Sequence, residues 1–347
     1  CRMSILVDSV IVFGLALAFT PVCRRLAVRF GAVDVPNERS SHEIPTPRGG
    51  GVAILIALAI GIALRSPALT FDLIAVVVGT AVIALVGLVD DFRSVPIPIR
   101  LGLQISLAAG VALSGNLATE LAAPLLSWST VGLIALGLTV FWVVALTNAY
   151  NFMDGINGLA ALQAIVSGAT IAYLLFRNGD WQGGVVGAMV AAAAAGFLPW
   201  NYPKARIFMG DVGSGGLGFI LGFLAVRVSQ VGGSLLEGAL PLLPFLLDTG
   251  YTLARRIARR DRWWQAHRTH LYQRMVRGGY SHAFVTALWG ALAVASGVAA
   301  VIVRRLSFAG GWLVLAGLLI LHAAVAVWIV ALESGQSGRR EGGLPPG

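Results

Sequence analysis

We count eleven long apolar stretches, separated by short polar loops, along the 347-residue sequence. A helix that crosses a lipid bilayer needs about 20 apolar residues, and most of these stretches are close to that length. They cover residues 4–22, 50–65, 71–89, 99–115, 129–148, 157–176, 182–200, 212–231, 236–256, 282–304 and 309–332. The second is short and the fourth is weakly apolar, so ten spans are the alternative. Because backbone polar groups must be hydrogen-bonded inside lipid, the sequence predicts an all-α polytopic integral membrane bundle.

Composition supports a membrane-embedded domain rather than a soluble one. Hydrophobic residues make up 57% of the chain and charged residues 12%, whereas a soluble domain carries about 25% charged residues. One globular core could not bury this much apolar surface, so lipid must cover much of it. We therefore expect a single integral membrane domain over residues 1–332. Residues 333–347 are rich in Gly, Pro and Arg and are predicted to form a disordered cytoplasmic tail.

The basic residues predict the orientation of the bundle, because cytoplasmic loops of membrane proteins carry an excess of Lys and Arg. With eleven spans and an outer N-terminus, 19 of the 25 Lys and Arg residues fall on the inner side. The six outer ones are Arg2, Arg65, Arg177, Arg227, Arg304 and Arg305. The net charge of +9 is then mostly a cytoplasmic field, which attracts phosphates and anionic lipid headgroups. We expect the lipid bilayer, and no nucleic acid, as a partner.

Four aspartates lie at the predicted inner boundary of the membrane. Asp90 and Asp91 end the third stretch in GLVDDF. Asp154 follows the fifth stretch in NAYNFMDGINGL, and Asp211 precedes the eighth in FMGDVGSGGLGF. The loops PTPRGGG and HRTHLYQR fall on the same side. Because the orientation rests on basic residues alone, this convergence is independent support for chemistry at the cytoplasmic face.

The aspartate pair of GLVDDF predicts a bound cation. Two like charges at the end of an apolar helix repel each other, and a cation or a proton relieves that cost. Carboxylate and amide oxygens are hard ligands that suit Mg²⁺, with Mn²⁺ as a substitute, better than zinc. Asp211 and Asn151 are the candidate direct ligands. The alternative is that the aspartate pair only forms ion pairs with Arg93 and Arg100 at a helix end.

Three other features are weaker signals. Residues 213–218 formally match the dinucleotide-binding pattern GxGxxG, but a membrane stretch surrounds them instead of a strand and a soluble unit. His267 and His270 lack the HExxH spacing of zinc hydrolases, and together with arginines of their loop they favour binding of a diphosphate. Asp248 lies inside the ninth stretch, where either a functional carboxylate or a buried hydrogen-bonded one is compatible with the sequence.

Taken together and in this order, these segments resemble the polyprenyl-phosphate N-acetylhexosamine-1-phosphate transferases of glycosyltransferase family 4. The resemblance extends from the PTPRGGG loop to the histidine loop that ends near Arg274. It implies transfer of an N-acetylhexosamine 1-phosphate from a UDP-sugar to undecaprenyl phosphate, giving undecaprenyl-diphosphate sugar and UMP. It also implies a multi-pass protein of the bacterial inner membrane whose active site faces the cytoplasm. A homodimer is left open.

The resemblance also implies roles for individual residues. Asp211 and Asn151 would hold Mg²⁺ against the diphosphate. Asp90 and Asp91 would serve the acceptor phosphate, one of them as proton acceptor, and Asp154 joins them as a candidate catalytic residue. The candidate substrate-binding residues are Asn148, Asn157, His267, Arg268, His270, Arg274, Arg48 and His42.

Two departures bear on the substrate. Many bacterial members carry a second aspartate where this chain has Asn157, and we assign this amide to nucleotide recognition because it can donate and accept hydrogen bonds. The loop HRTHLYQRM is closer to members that start O-antigen or similar polysaccharides than to phospho-muramoyl-pentapeptide transferases. N-acetylglucosamine is the expected sugar, with a 6-deoxy-N-acetylhexosamine or phospho-MurNAc-pentapeptide as alternatives. A transporter or flippase is the alternative from another class, although it would favour an internal repeat and polar residues at the bilayer midplane.

Overall fold

The computed structural model describes residues 2–36, 44–65, 70–122, 126–262 and 267–341. Its helices are α1 (Arg2–Arg29), α2 (Gly51–Ala63), α3 (Phe71–Phe92), α4 (Ile97–Leu113), α5 (Gly132–Phe152), α6 (Leu159–Arg177), α7 (Trp181–Asn201), α8 (Asp211–Gln230), α9 (Leu235–Ala239), α10 (Leu243–Ala258), α11 (Leu271–Arg277), α12 (His282–Ile302) and α13 (Phe308–Glu341). Within these described ranges, four short strands form two antiparallel pairs, β1 (Val33–Asp34) with β2 (Thr46–Pro47) and β3 (Glu120–Ala122) with β4 (Leu126–Ser129). The predicted all-α class is confirmed.

Each predicted apolar stretch contains helix. In the described ranges, eight helices are long and apolar enough to cross a membrane, namely α1, α3, α5, α6, α7, α8, α12 and α13. Two shorter apolar helices, α2 and α4, correspond to the stretches that are short or weakly apolar in the sequence. The chain is therefore a polytopic membrane protein.

The ninth stretch differs from the prediction, because it is not one continuous helix. The chain forms the short helix α9, a 3₁₀ turn over Leu240–Leu242 and then α10. Pro241 lies in the turn and Pro244 in the first turn of α10. Proline lacks the N–H that a continuous helix needs, so the two prolines divide the stretch.

The C-terminal helix is longer than its apolar stretch. Helical backbone in α13 continues to Glu341, past Leu332, where the sequence predicts the start of a tail. Residues 342–347 lie outside the described part of the chain. The division into residues 1–332 and 333–347 stays a prediction.

Helix α8 is the centre of the bundle. Every residue from Val212 to Ser229 is buried, and α3, α5 and α2 pack around it. A methyl group on Gly218 would lie 2.8 Å from the Cα of Thr147, and small residues let membrane helices approach this closely. The glycines after Asp211 therefore serve packing, and Asp211 begins the central helix at one end of the bundle.

Two groups of ion pairs stabilise the opposite end. Their members are Asp72, Asp180 and Arg227 in one group and Arg177, Glu237 and Arg304 in the other. The Nε of Arg227 lies 2.8 Å from the Asp180 carboxylate, and Glu237, which is fully buried, contacts its two arginines at 3.1 and 3.2 Å. Buried charges are costly unless they are paired. Arg227 lies roughly 24 Å along α8 from Asp211, at about 1.5 Å per residue. We assign both groups a structural role.

Candidate active site

Three segments meet at the N-terminus of α8. The backbone N–H of Gly51 donates to the carbonyl of Met209 at 2.8 Å. A methyl group on Gly51 would lie 2.2 Å from the Cα of Gly213, so the close approach requires glycine here. The PTPRGGG loop is thereby fixed against the start of α8, and it brings Arg48 to the end of α3.

Asp91 binds the N-terminal backbone of α8. Its two carboxylate oxygens accept hydrogen bonds from the N–H groups of Asp211, at 3.1 Å, and Val212, at 3.3 Å. Its side chain is 3% exposed, and Arg48 donates to its backbone carbonyl. A carboxylate in this position satisfies N–H groups that have no partner within the helix. Asp91 therefore fixes the position of Asp211, the first residue of α8.

Asp90 has different partners from its neighbour. One of its carboxylate oxygens accepts the N–H of Val95 at 2.5 Å, and the other accepts Nη1 of Arg100 at 2.7 Å. The same nitrogen of Arg100 donates to Oδ2 of Asp211 at 3.3 Å. One guanidinium thus joins two carboxylates that are 121 positions apart in the sequence. The ion pair between Asp90 and Arg100 that the sequence offered as an alternative is present. It does more than cap the end of α3, because Arg100 also contacts Asp211.

A small cavity lies beside Asp211, between α3, α4, α5 and α8. Its volume is about 20 Å³, which is room for about one water-sized occupant. The polar residues that line it are Arg100, Gln104, Thr147, Asn148, Asn151 and Asp211. The Asn148 amide donates to Oε1 of Gln104 at 2.6 Å, and the Asn151 amide donates to Oγ of Ser214 at 3.0 Å. The structure therefore brings Asp211 and Asn151 to one cavity.

The oxygen groups of this cavity suit a hard divalent cation. Among the residues that the structure describes, no group of three or more His, Cys, Asp or Glu side chains is arranged to hold a metal ion by itself. Mg²⁺ does not require such a group, because it keeps several waters and uses one or two carboxylates plus substrate phosphates. Asp211 and the amide of Asn151 meet that requirement, and their role as ligands stays a prediction.

Asp154 lies in the half-buried loop between α5 and α6. Burial raises the pKa of its carboxyl well above the usual range, and the charges of Asp211 and Asp91 raise this pKa further. The three carboxylates are thus close enough to repel one another. A bound cation would relieve this concentration of negative charge.

Replacing Asp154 with Asn is expected to stabilise the metal-free protein at neutral and higher pH. A carboxyl with a raised folded-state pKa holds its proton more tightly in the folded chain, so stability is greatest at low pH and falls as the pH rises through the folded pKa. Asn has no charge to bury. Thermal unfolding in detergent with EDTA should give a higher midpoint for the variant at about pH 8, with a difference that shrinks towards about pH 4.

The control for this measurement is Asp261→Asn, whose side chain is 45% exposed. Its unfolding midpoint should stay near that of the wild type at both pH values, because an exposed carboxylate has little desolvation to lose. A pH-independent difference between Asp154→Asn and the wild type would contradict the electrostatic interpretation.

The loop that carries Asp154 is tied to two neighbouring segments. The N–H of Gly158 donates to Oδ1 of Asn201 at 2.6 Å. Nδ2 of Asn157 donates to the carbonyl of Pro203 at 3.0 Å, and the carbonyl of Asn157 accepts a hydrogen bond from Thr286 at 2.7 Å. Asn157 therefore has a structural role that the sequence did not indicate. Its predicted contact with the nucleotide stays a prediction.

Helix α11 joins the histidine loop to the aspartate loops. Oη of Tyr272 donates to the carbonyl of Phe152 at 2.9 Å. A methyl group on Gly155 would lie 2.1 Å from this Tyr272 Oη, so the contact requires glycine. From the other side, the Asp248 carboxylate accepts the N–H of Leu271 at 2.8 Å and that of Tyr272 at 3.1 Å. Of the two interpretations that the sequence left open for Asp248, the structure supports a buried, hydrogen-bonded carboxylate.

The two histidines of the loop pack together, with 5.0 Å between their ring centroids. Burial lowers the pKa of His267 to about 4, and the neighbouring His270 and Arg256 contribute to this lowering. His267 is therefore neutral near pH 7. A contact between His267 and a diphosphate would use a neutral N–H donor and not a positive charge.

The remaining predicted substrate residues are distributed around this end of the bundle. Arg268 lies in the histidine loop, and Arg274 is buried in α11. His42 lies outside the described residues. Arg100 and Gln104 also line the site, although they are not among the residues predicted from the sequence. The available signal was their spacing of four within a weakly apolar stretch, which places both on one face of a helix.

A substitution at Gly87 tests the close contact between α3 and α8. A methyl group there would lie 2.4 Å from the carbonyl oxygen of Asp211, and backbone cannot yield without moving this residue. Gly87→Ala is expected to destabilise the protein by about 1–3 kcal/mol and to lower activity. In Gly102→Ala an added methyl meets nothing within 4 Å, so thermal unfolding should show an unchanged or slightly higher midpoint. Similar midpoints for both variants would contradict this contact.

The fold and the site together define a polytopic membrane protein with a small cavity, lined by Asp211, Arg100 and amide side chains, at one end of its bundle. Residues 73–229 match the family described as glycosyl transferase family 4, and this segment contains Asp90, Asp91, Asp154 and Asp211. A probable undecaprenyl-phosphate N-acetylglucosaminyl 1-phosphate transferase of Bacillus subtilis is 30% identical over 77% of this chain and 75% of its own length. A decaprenyl-phosphate N-acetylglucosaminephosphotransferase of Mycolicibacterium smegmatis is 32% identical over 92% of this chain and 86% of its own length.

A third relative belongs to a different activity class. A phospho-N-acetylmuramoyl-pentapeptide-transferase of Clostridioides difficile is 28% identical over 72% of this chain and 83% of its own length. From the matched segment and the coverage of these relatives, the chain belongs to glycosyl transferase family 4. The family resemblance stated from the motifs is confirmed.

Proposed function

We propose that this protein transfers N-acetylglucosamine 1-phosphate from UDP-N-acetylglucosamine to undecaprenyl phosphate, giving undecaprenyl-diphosphate N-acetylglucosamine and UMP. Such a product would begin a lipid-linked polysaccharide of the cell envelope, for example an O-antigen. The observation that carries the proposal is the gathering of Asp90, Asp154 and Asp211 with Arg100 at one end of the bundle. The names of the Bacillus and Mycolicibacterium relatives support both the sugar and the polyprenyl phosphate.

The proposed reaction is a phosphoryl transfer between two anionic reactants. An oxygen of the lipid phosphate attacks the phosphorus that carries the sugar, and the bond from this phosphorus to the oxygen bridging it to UMP breaks. UMP leaves with that oxygen. Such a reaction depends on alignment of the reactants and neutralisation of their charge. Arg48 and Arg100 are cationic groups beside the aspartates that can contribute to both.

Asp211 and Asn151 are the residues that would hold Mg²⁺, with Mn²⁺ as a substitute. A bound ion would supply neutralisation of the charge on the diphosphate. The protein fixes Asp211 in two ways: Asp91 holds its backbone N–H at 3.1 Å, and Arg100 holds its carboxylate at 3.3 Å. Because the metal-binding side chain is already held in place, less conformational entropy is lost when the metal and the substrate bind.

Asp90 is the aspartate of its pair that we assign to proton transfer. Its side chain is 14% exposed, whereas the oxygens of Asp91 are enclosed and engaged by the backbone of α8. A lipid phosphate is a stronger nucleophile after it loses a proton, and a carboxylate within hydrogen-bond reach can accept that proton. We assign Asp91 to anchoring of α8. We assign Asp154 to the catalytic residues, because its carboxyl lies close enough to Asp211 and Asp91 for their charges to act on it.

The acceptor lipid gives a reason for building this chemistry into a membrane protein. The reacting phosphate lies at the membrane surface, while its polyprenyl chain stays in the bilayer. The site end of the bundle carries the loops with most of the basic residues, so the charge bias supports the cytoplasmic face of the bacterial inner membrane. Adding UDP-N-acetylglucosamine to sealed vesicles of known orientation should give UMP only when this end is accessible.

The alternatives differ in the donor sugar. The muramoyl-pentapeptide transferase of Clostridioides difficile is less identical to this chain than the two N-acetylglucosamine phosphotransferases, which favours the smaller donor. A 6-deoxy-N-acetylhexosamine donor would use the same aspartates. The transporter or flippase alternative has no support from these relatives, all three of which are named as transferases.

UMP release by the purified protein tests the proposal. The reaction contains UDP-N-acetylglucosamine, undecaprenyl phosphate and Mg²⁺, and parallel reactions omit the acceptor or contain EDTA. UMP that requires both acceptor and metal supports the proposed function. Activity with UDP-MurNAc-pentapeptide or a 6-deoxy donor, and none with UDP-N-acetylglucosamine, would replace the sugar. No UMP from any of these donors, with protein that unfolds cooperatively on heating, would overturn the reaction.

A further inference from the structure

Asp248 is a buried carboxylate for which the proposed reaction has no direct use. It lies in α10, its side chain is 1% exposed, and it accepts the N–H groups of Leu271 and Tyr272 at 2.8 and 3.1 Å. It also lines an apolar cavity of about 330 Å³ between α10, α12 and α13. In such dry surroundings a hydrogen bond to a carboxylate is stronger than in water. Any further contact made by Asp248 is therefore energetically significant.

One such contact is with the imidazole of His270. Nδ1 of this ring lies 3.3 Å from Oδ1 of Asp248, and since a carboxylate can only accept, the pair places a proton on Nδ1. The ring also lies against those of Phe152, His267 and Tyr272, with centroid distances of 6.0, 5.0 and 5.9 Å. Hydrogen bonding and packing together fix the orientation of His270.

The other ring nitrogen of His270 is left for a ligand. Nε2 is buried and has no hydrogen-bond partner in the part of the chain that the structure describes, and the residue is 3% exposed. Buried polar atoms are nearly always hydrogen-bonded, so an unsatisfied one beside a site is a candidate contact for a bound substrate. Phe152, against which the ring packs, directly follows Asn151 and precedes Asp154 by two positions.

We propose that Asp248 is a positioning residue, which fixes the ring of His270 so that Nε2 contacts a polar group of the bound nucleoside-diphosphate sugar. The inference rests on the proposed function, because it assigns the ligand of Nε2 to the donor. It adds a second carboxylate anchor to the site. Asp91 positions Asp211 through the start of α8, and Asp248 positions His270 at the start of α11.

A double-mutant cycle separates positioning from a purely structural role. Asp248→Asn is expected to lower kcat/KM for UDP-N-acetylglucosamine by about tenfold or more, in the range of a lost charged hydrogen bond. In a His270→Gln background, where the Asp248–imidazole contact no longer exists, Asp248→Asn should cost less than about threefold further, because residues that act as a unit are not additive. An equal cost in both backgrounds would mean that Asp248 only caps α11, and would overturn the inference.

A pair of substitutions at His270 gives a second readout. The amide of Gln reaches the position of Nε2, whereas the amide of Asn reaches only that of Nδ1. His270→Gln should therefore retain more activity than His270→Asn, with the difference mainly in KM for the donor and with similar unfolding midpoints. The reverse order, or equal loss in both variants, would contradict a contact through Nε2.

A spectroscopic measurement on the wild-type chain covers the case in which Asp248→Asn does not fold. With ¹⁵N-labelled histidine, the signals of His270 are identified by their loss in His270→Gln. We expect a protonated Nδ1, and an Nε2 signal that moves when UDP-N-acetylglucosamine is added. An Nε2 signal that ignores saturating nucleotide sugar in protein that still releases UMP would overturn this inference and leave the proposed function intact. Absence of UMP release from the wild type would instead remove the proposed function.

Discussion

Replacing Asp211 with Asn is expected to lower UMP release by more than about 100-fold. Substituting a residue that only hydrogen-bonds to a metal ligand already lowers metal affinity or activity by about 10–100-fold, and a direct ligand should matter more. The substitution keeps the shape of the side chain and its backbone N–H, which Asp91 binds, so the start of α8 should stay intact. What the variant loses is a negative oxygen at the cavity shared with Asn151. The dependence of the residual rate on Mg²⁺ concentration should move to higher concentration.

The control for this prediction is again Asp261→Asn, in an exposed loop, which should keep wild-type activity. The unfolding midpoint of Asp211→Asn in EDTA should equal or exceed that of the wild type, since the variant removes one of three mutually repelling carboxylates. A variant that kept more than about a third of the wild-type rate at low Mg²⁺ would remove Asp211 from the proposed ligands.

The adjacent residues Asp90 and Asp91 are expected to respond differently to the same change. Asp90→Asn should lower the rate by about 100-fold or more, as for a lost general base. Its loss of stability should be smaller than that of Asp91→Asn, because Asn can still accept the N–H of Val95 and the lost ion pair with Arg100 is partly exposed. Asp91→Asn should lower the unfolding free energy by about 1–3 kcal/mol, since a buried carboxylate that caps a helix is replaced by an amide whose NH₂ group faces backbone N–H donors. Activity and thermal unfolding of both variants measure the difference.

Each of these two variants is the control for the other, because the residues are neighbours with the same side chain. Substantial activity in Asp90→Asn would end its proposed role as proton acceptor. If Asp90→Asn were the less stable variant, the division between catalysis and anchoring would be reversed. Equal loss of stability in both would mean that the aspartate pair acts as one structural unit at the end of α3.

Much of the fold follows from the sequence, because the physics of a bilayer leaves few solutions. A stretch of about 20 apolar residues in lipid must satisfy its own backbone, and a helix is how a single stretch does so. The sequence also predicted that Asp90, Asp154 and Asp211 lie on one face. The loops that carry them are on the same side of the membrane as the loops rich in Lys and Arg. The apolar content of the sequence alone did not predict the break at Pro241 and Pro244, and the two prolines were the available signal.

The sequence by itself determined the membrane-embedded helical class, the family and the set of acidic residues at one predicted face. The tertiary structure decided how these residues divide their work. Asp90 and Asp91 are adjacent residues of the same type, yet Asp90 forms an ion pair with Arg100 and Asp91 accepts hydrogen bonds from the backbone of α8. Likewise, only the packing of α10 against α11 joins Asp248 to His270, 22 positions away. The physical reason is that a side chain's role depends on which donors and charges reach it, and these partners come from segments distant in the chain.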